Sequence, residues 1–161
     1  SGIGDPQKEI IFGNTGGNLY ILSQSGNLKS QRNIGSFIVS TPAIADINGD
    51  GCGEIFVATG DGRIHGFYLV NKGGQLFPEY LTGFPKSTGG PISAGVSPVI
   101  CDIDGDSAFE LIIGNDSSQL RVYDLGPGSA GTVKWIPGAY FCTPDSHACQ
   151  RRWETAICGH P

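Results

Sequence analysis

A glutamate followed by a short apolar run recurs at Glu9, Glu54 and Glu110, and each time it opens the same pattern. Residues 54–67 align without a gap with residues 110–123, and residues 9–22 align with both. Upstream, residues 40–46 match residues 96–102, with Pro42 and Pro98 in register. A repeat of this kind is one supersecondary unit that cannot bury its apolar face alone, so the copies have to stack. Within each unit the pattern predicts four short antiparallel strands. The first (42–45, 98–101) leads into an acidic loop. The second (55–59, 111–115) is a continuous apolar run, which predicts burial on both faces. Turns at 15–18, 60–62 and 116–118 supply the Gly and Asp residues that tight hairpins need, because these accept positive φ. A third strand follows (19–22, 64–69, 120–124). The fourth (28–33, 75–81, 132–136) carries Pro78 and charged residues that suit an outer position.

The acidic loops read Asp46-Ile47-Asn48-Gly49-Asp50-Gly51-Cys52-Gly53-Glu54 and Asp102-Ile103-Asp104-Gly105-Asp106-Ser107-Ala108-Phe109-Glu110. Both follow the pattern D-x-[DN]-x-D, with an acid four residues after the last Asp. Oxygen side chains at every second position of a tight turn converge on one point. A hard cation such as Ca2+ takes about 6–8 such oxygens, from carboxylates, amide or backbone carbonyls and water. Positions one, three and five offer side-chain oxygens, position seven a backbone carbonyl, and the closing Glu up to two more. A single loop of this kind also reads as a solvated turn, since Asp, Asn and Gly favour turns anyway. Two loops with the same spacing and the same flanks favour the ion.

Composition agrees with many short strands. The chain has 161 residues, enough for one domain with a sizeable core, and its 26 Gly and 10 Pro suit turns better than long helices. Net charge is −5, and the ten Lys and Arg are scattered, which excludes a nucleic-acid surface. No apolar run approaches the ~18 residues of a membrane span, and no signal peptide is present. A mature secreted chain and an excised domain look alike in this respect. Of five cysteines, Cys142 and Cys149 lie in a polar, turn-rich tail where a local disulfide is expected in an oxidising compartment. Cys101, inside an apolar run, is expected to be a buried small hydrophobe. The odd count leaves at least one thiol free or paired between chains. Millimolar free calcium, which weak modules need, also points outside the cell.

Four short strands in units of roughly 40–55 residues are the signature of β-propeller blades. The segments STPAIADINGDGCGEIFVATGDGRIHGF and GVSPVICDIDGDSAFELIIGNDSSQLRVY resemble FG-GAP/VCBS repeats, the calcium-loop blades of integrin α-subunit heads and many secreted microbial proteins. The resemblance covers roughly residues 5–137: Ser/Thr-Pro, the loop and its Glu, then the hairpin, all in register. It implies an all-β fold of about three four-stranded antiparallel blades (1–35, 36–90, 91–137), the first incomplete, ahead of a cysteine-containing tail at 138–161. It also implies two Ca2+ sites. Their ligands fall on Asp46, Asn48, Asp50 and Glu54 with the Cys52 carbonyl, and on Asp102, Asp104, Asp106 and Glu110 with the Ala108 carbonyl. Two departures are present: Ser107 replaces the usual Gly at position six, and Asn48 removes one charge. Both are reasons for the two affinities to differ.

In the first unit Asp5 and Glu9 hold the last two acidic positions, but Ser1 and Ile3 stand where the first two ligands belong. That loop is expected not to bind calcium, and the chain is read as starting within a blade. Closed propellers use about four to eight blades. Fewer than three leave an excised fragment, a small array capped by its tail, or an open piece completed by other chains. Exposed strand edges invite pairing, which favours completion by another chain or another copy.

After Tyr140 the repeat stops, and Cys142, His147, Cys149, Cys158 and His160 follow, with Arg151, Arg152 and Trp153 among them. A zinc site lacks any paired C-x2-C spacing, so a disulfide-pinned tail is favoured. The Arg-Arg-Trp cluster is either a docking spot or ordinary packing. Asn115-Asp116-Ser117 is a formal glycosylation sequon in a hairpin turn. His65 lies mid-strand, and no nucleophile, metalloprotease or phosphate-loop motif is present, so no catalytic residues are assigned. The expected function is a non-catalytic, extracellular, calcium-stabilised structural module whose partners are other chains or copies of itself. The alternatives are an adhesion module recognising a protein or glycan, and, last, an accessory domain of a polysaccharide-active enzyme.

Overall fold

Short apolar runs separated by glycine-bearing turns have one economical solution, antiparallel hairpins that share their apolar faces. The computed structural model describes residues 8–129 and 131–134, and all of its regular structure there is strand. Strands β1 (Ile10–Gly13), β2 (Asn18–Leu22) and β3 (Leu28–Asn33) form a first sheet in that order. The second sheet runs β4 (Ala43–Ala45), β5 (Glu54–Thr59), β6 (Arg63–Lys72), β7 (Gln75–Tyr80), with β8 (Lys86–Ser87) also paired to β6. The third contains β9 (Val99–Cys101), β10 (Glu110–Gly114), β11 (Leu120–Asp124) and β12 (Thr132–Val133), each paired to the next.

The second sheet therefore has five strands where four were expected. The extra strand pairs Ser87 with Arg63 and Lys86 with Ile64, at the end of β6 that β7 does not reach. Strand β6 continues to Lys72, beyond the expected end at residue 69, because the reversal is made by Gly73 and Gly74, with φ of 66° and 91°. Two consecutive positive φ values are what a two-residue hairpin loop requires. In the third sheet, residues 135 and 136 of the expected last strand lie outside the described residues, as does the whole tail with its Cys142–Cys149 pairing. Cys101 is half-buried on β9 rather than enclosed, and neither it nor Cys52 forms a disulfide among the described residues.

Strand β5 is buried at every position, as its apolar run suggested. Alternation along a strand sends successive side chains to opposite faces, and here both faces are covered. Ile55 and Val57 join Leu19, Ile21, Ile38 and Phe67 in a core against the first sheet. Phe56 and Ala58 join Ile64, Ile92, Leu111, Ile113, Tyr123 and Leu125 in a core against the third. The middle sheet is thus packed between the other two. Arg32 on β3 ties the first sheet to the second: its guanidinium donates to the Pro78 carbonyl and lies 4.5 Å from the centre of the Tyr80 ring. Pro78 has no N–H to offer, and its free carbonyl is met from the neighbouring sheet.

The segments between sheets are stitched to the hairpins they cross. Thr88 donates from both its backbone nitrogen (2.8 Å) and its hydroxyl (2.9 Å) to the Gly62 carbonyl, and its own carbonyl accepts from Asn115 and Arg121. Gly62 has φ of 81°, and a Cβ there would stand 2.1 Å from the Gly90 carbonyl oxygen, so the turn and the crossing segment together require glycine.

Candidate metal centres

Each acidic loop joins the first strand of its sheet to the second, β4 to β5 and β9 to β10, and its side chains fold back onto its own backbone. Asp46 Oδ1 accepts from the Gly49 (2.7 Å) and Asp50 (3.1 Å) amides, and Oδ2 from Gly51 at 2.8 Å. Asn48 Oδ1 accepts from Asp50, and Asp50 Oδ1 from Cys52, both at 2.8 Å. The second loop repeats this. Asp102 takes Gly105 (2.7 Å) and Ser107 (3.0 Å), Asp104 takes Asp106 (3.4 Å), and Asp106 takes Ala108 (2.8 Å). Both closing glutamates are buried, and each accepts the amide of the residue that follows the first Asp of its loop: Ile47 N–H to Glu54 Oε2 and Ile103 N–H to Glu110 Oε2, both 2.9 Å. Ser107 adopts φ of 71° where Gly51 has 85°, so the serine keeps the left-handed turn that position six needs. A non-glycine residue there costs about 1–2 kcal/mol.

The loops differ in what faces their carboxylates. In the second, carboxylate oxygens of Asp102, Asp104 and Asp106 lie within 4.8 Å of one another. The Lys134 ammonium stands among the acids, 2.7 Å from Asp104, 3.0 Å from Glu110, 3.4 Å from Asp106 and 3.9 Å from Asp124. Hydrogen bonds to Asp104 and Glu110 hold its pKa well above the usual lysine range, and the same ammonium holds Asp104 below the usual carboxylate range. In the first loop, Glu54 Oε1 accepts instead from the Asn48 side-chain amide at 3.0 Å. Burial, with Asp50 and Asp46 nearby, pushes the Glu54 carboxyl up, while the Gly51 amide is the leading cause that lowers Asp46. Asp124 and Lys134 were not among the residues singled out from sequence. Both lie far from the loop in the chain, and only the pairing of β10 with β11 and β11 with β12 brings them there.

A chain of oxygens alternating along a tight turn, backed by a buried carboxylate, is a donor set suited to a hard divalent cation. Residues 46–113 match the model of the FG-GAP-like repeat. The match begins on Asp46, the first acid of the first loop, and ends on Ile113 within β10, so it takes in both loops and both glutamates. No curated protein matches the chain. Within the FG-GAP-like segment, His65 is buried on β6, its Nε2 at 3.2 Å from the Thr59 hydroxyl and its Nδ1 at 3.0 Å from the Tyr80 hydroxyl. Both ring nitrogens are committed to hydrogen bonds within the sheet. Asn115 of the sequon is also committed, its amide nitrogen donating to the Thr88 carbonyl at 2.7 Å. A cleft of about 310 Å³ between the second and third sheets is lined by Ile47, Leu81, Thr82, Phe84, Leu125 and glycines. Among the described residues no helix is long and apolar enough to cross a membrane.

Proposed function

We propose that the chain is a non-catalytic β-propeller-type module of an extracellular or surface assembly, stabilised by calcium and completed by another chain or a second copy. The observation that carries the assembly is the edge of β1. Among the described residues β1 pairs with β2 alone, whereas its counterparts β5 and β10 are each paired on both sides. Its row of unpaired N–H and C=O groups is a template for an added strand. The outward face of the same sheet is apolar, with Ile10 49% and Phe12 40% exposed and Phe12 stacked on Tyr20. The corresponding faces of β5 are wholly covered by neighbouring sheets. A further sheet laid on β1 would extend the stack by the packing already used twice.

The calcium reading rests on the donor sets. Asp46, Asn48, Asp50 and Glu54 would hold one ion and Asp102, Asp104, Asp106 and Glu110 another, with the Cys52 and Ala108 carbonyls adding oxygens. The ion would supply charge neutralisation where several carboxylates meet, locking each loop to the strand behind it. The non-catalytic reading draws support from the FG-GAP-like match. Light scattering on the purified chain at micromolar concentration in calcium tests the assembly. A mass above one monomer is expected, with reversion to monomer in Ile10→Lys at an unchanged far-UV spectrum. A wild-type mass of one monomer under these conditions rules the assembly out.

A further inference from the structure

The two acidic loops are near copies in backbone and hydrogen bonding, yet only one has a lysine inside it. We propose that Lys134 is the built-in cation of the loop formed by residues 102–110, a tethered competitor that must swing out before a divalent ion can enter. The loop at 46–54, whose Asp46, Asp50 and Glu54 make no ion pair with a lysine among the described residues, then takes calcium first. This inference rests on the calcium reading above.

The placement of Lys134 is dictated by strand pairing. Its backbone N–H donates to the Val122 carbonyl at 2.8 Å, continuing the register that sets Val133 opposite Tyr123. That register delivers the side chain over the carboxylates of Asp104, Asp106 and Glu110, and Asp124 on β11 adds a fourth acid. In the second sheet the equivalent backbone contact is made by Leu81, whose N–H donates to the Gly66 carbonyl at 2.9 Å. Leu81 packs into the core instead of pairing with the loop, and the position equivalent to Asp124 is Tyr68. The first sheet supports the same logic. In the sequence of the first unit Ser1 and Ile3 replace two ligands of the pattern, and in the structure Lys29 on β3 places its ammonium 2.9 Å from Glu9, the closing glutamate of that unit. A lysine thus meets the closing glutamate in two sheets, and in the middle sheet an asparagine amide does so instead.

An ammonium and a calcium ion cannot share these oxygens. Ca2+ requires its ligands at about 2.3–2.6 Å, and a positive charge left beside them, next to the buried Glu110, would oppose the ion by Coulomb repulsion that solvent screens little. The lysine side chain is 27% exposed, so it has a route outward, and entry is competitive rather than blocked.

A calcium series on the metal-stripped whole chain, followed by amide resonances, separates the loops, with Gly51 reporting the first and Gly105 the second. In the wild type Gly51 is expected to reach its midpoint at lower calcium than Gly105. In Lys134→Gln the Gly105 midpoint is expected to fall about tenfold or more, with Gly51 unmoved, while Lys134→Arg keeps the late midpoint and shows that the site tolerates substitution. A Gly105 midpoint that stays put in Lys134→Gln, or that precedes Gly51 in the wild type, overturns the inference and leaves the calcium reading intact. Absence of any calcium response at either glycine in both proteins overturns the calcium reading and the competition with it.

Discussion

His65 sits in a polar chain closed by three strands: Asp61 accepts from the Thr59 hydroxyl at 2.6 Å, that hydroxyl meets one ring nitrogen, and Tyr80 meets the other. Burial lowers its pKa, with Arg63 and Arg32 adding to the effect and Asp61 opposing it. The sign of the consequence is set by linkage. An unfolded chain takes a proton at the ordinary value of 6.5, the folded one only at lower pH, so protonation favours unfolding. The stability this histidine contributes is complete above pH 6.5 and is lost as the pH falls through its lowered value. Urea midpoints measured across that window are expected to drop more in the wild type than in His65→Gln. Equal slopes in the two proteins would refute this account. At the same scale, the sequence exposed the ligand-type residues of both loops but not Lys134 or Asp124. Spacing along a chain reports a local turn, whereas these two arrive through strand pairing.

At the scale of elements, β5 is the member on which both cores depend, and its continuous apolar run announced as much. The edges were less legible. Pro78 marked β7 as an outer strand, which it is by hydrogen bonding, but the residue is buried because Arg32 of the first sheet lies across it. Arg32 combines a hydrogen bond to a carbonyl that no strand satisfies with cation–π contacts on Tyr80 and Phe67, at 4.5 and 5.4 Å. Arg32→Ala is expected to lower stability by about 2–3 kcal/mol in chemical denaturation. Arg32→Lys is expected to recover only a fraction of that, since a lysine lacks the planar fork that stacks and donates together. Full recovery by lysine would show that charge alone holds the two sheets.

For the whole molecule, calcium is expected to act as a stabiliser rather than a reactant. Chelation leaves the buried Glu54 beside Asp50 and Asp46, met by the Asn48 amide rather than by a cation among the described residues, whereas Lys134 can return to the acids of the second loop. The melting temperature in excess EDTA is therefore expected to fall by several degrees, as a single transition. Loosening the loop at 46–54 disturbs β5, and β5 contributes to both cores. An unchanged melt would show that neither loop binds calcium in a way that matters to the fold, and two separated transitions would show that the sheets do not unfold together.

The sequence by itself determined the all-β character, the threefold unit, the loop residues and the double burial of the second strand. These are local or periodic properties: alternation, turn chemistry and the spacing of oxygens are written along the chain. Tertiary structure alone decided the fifth strand of the middle sheet, the unpaired side of β1 among the described residues, and the lysine among the acids of one loop. Each of these depends on which strand lies beside which, and that choice is made by burial of apolar faces across segments distant in sequence.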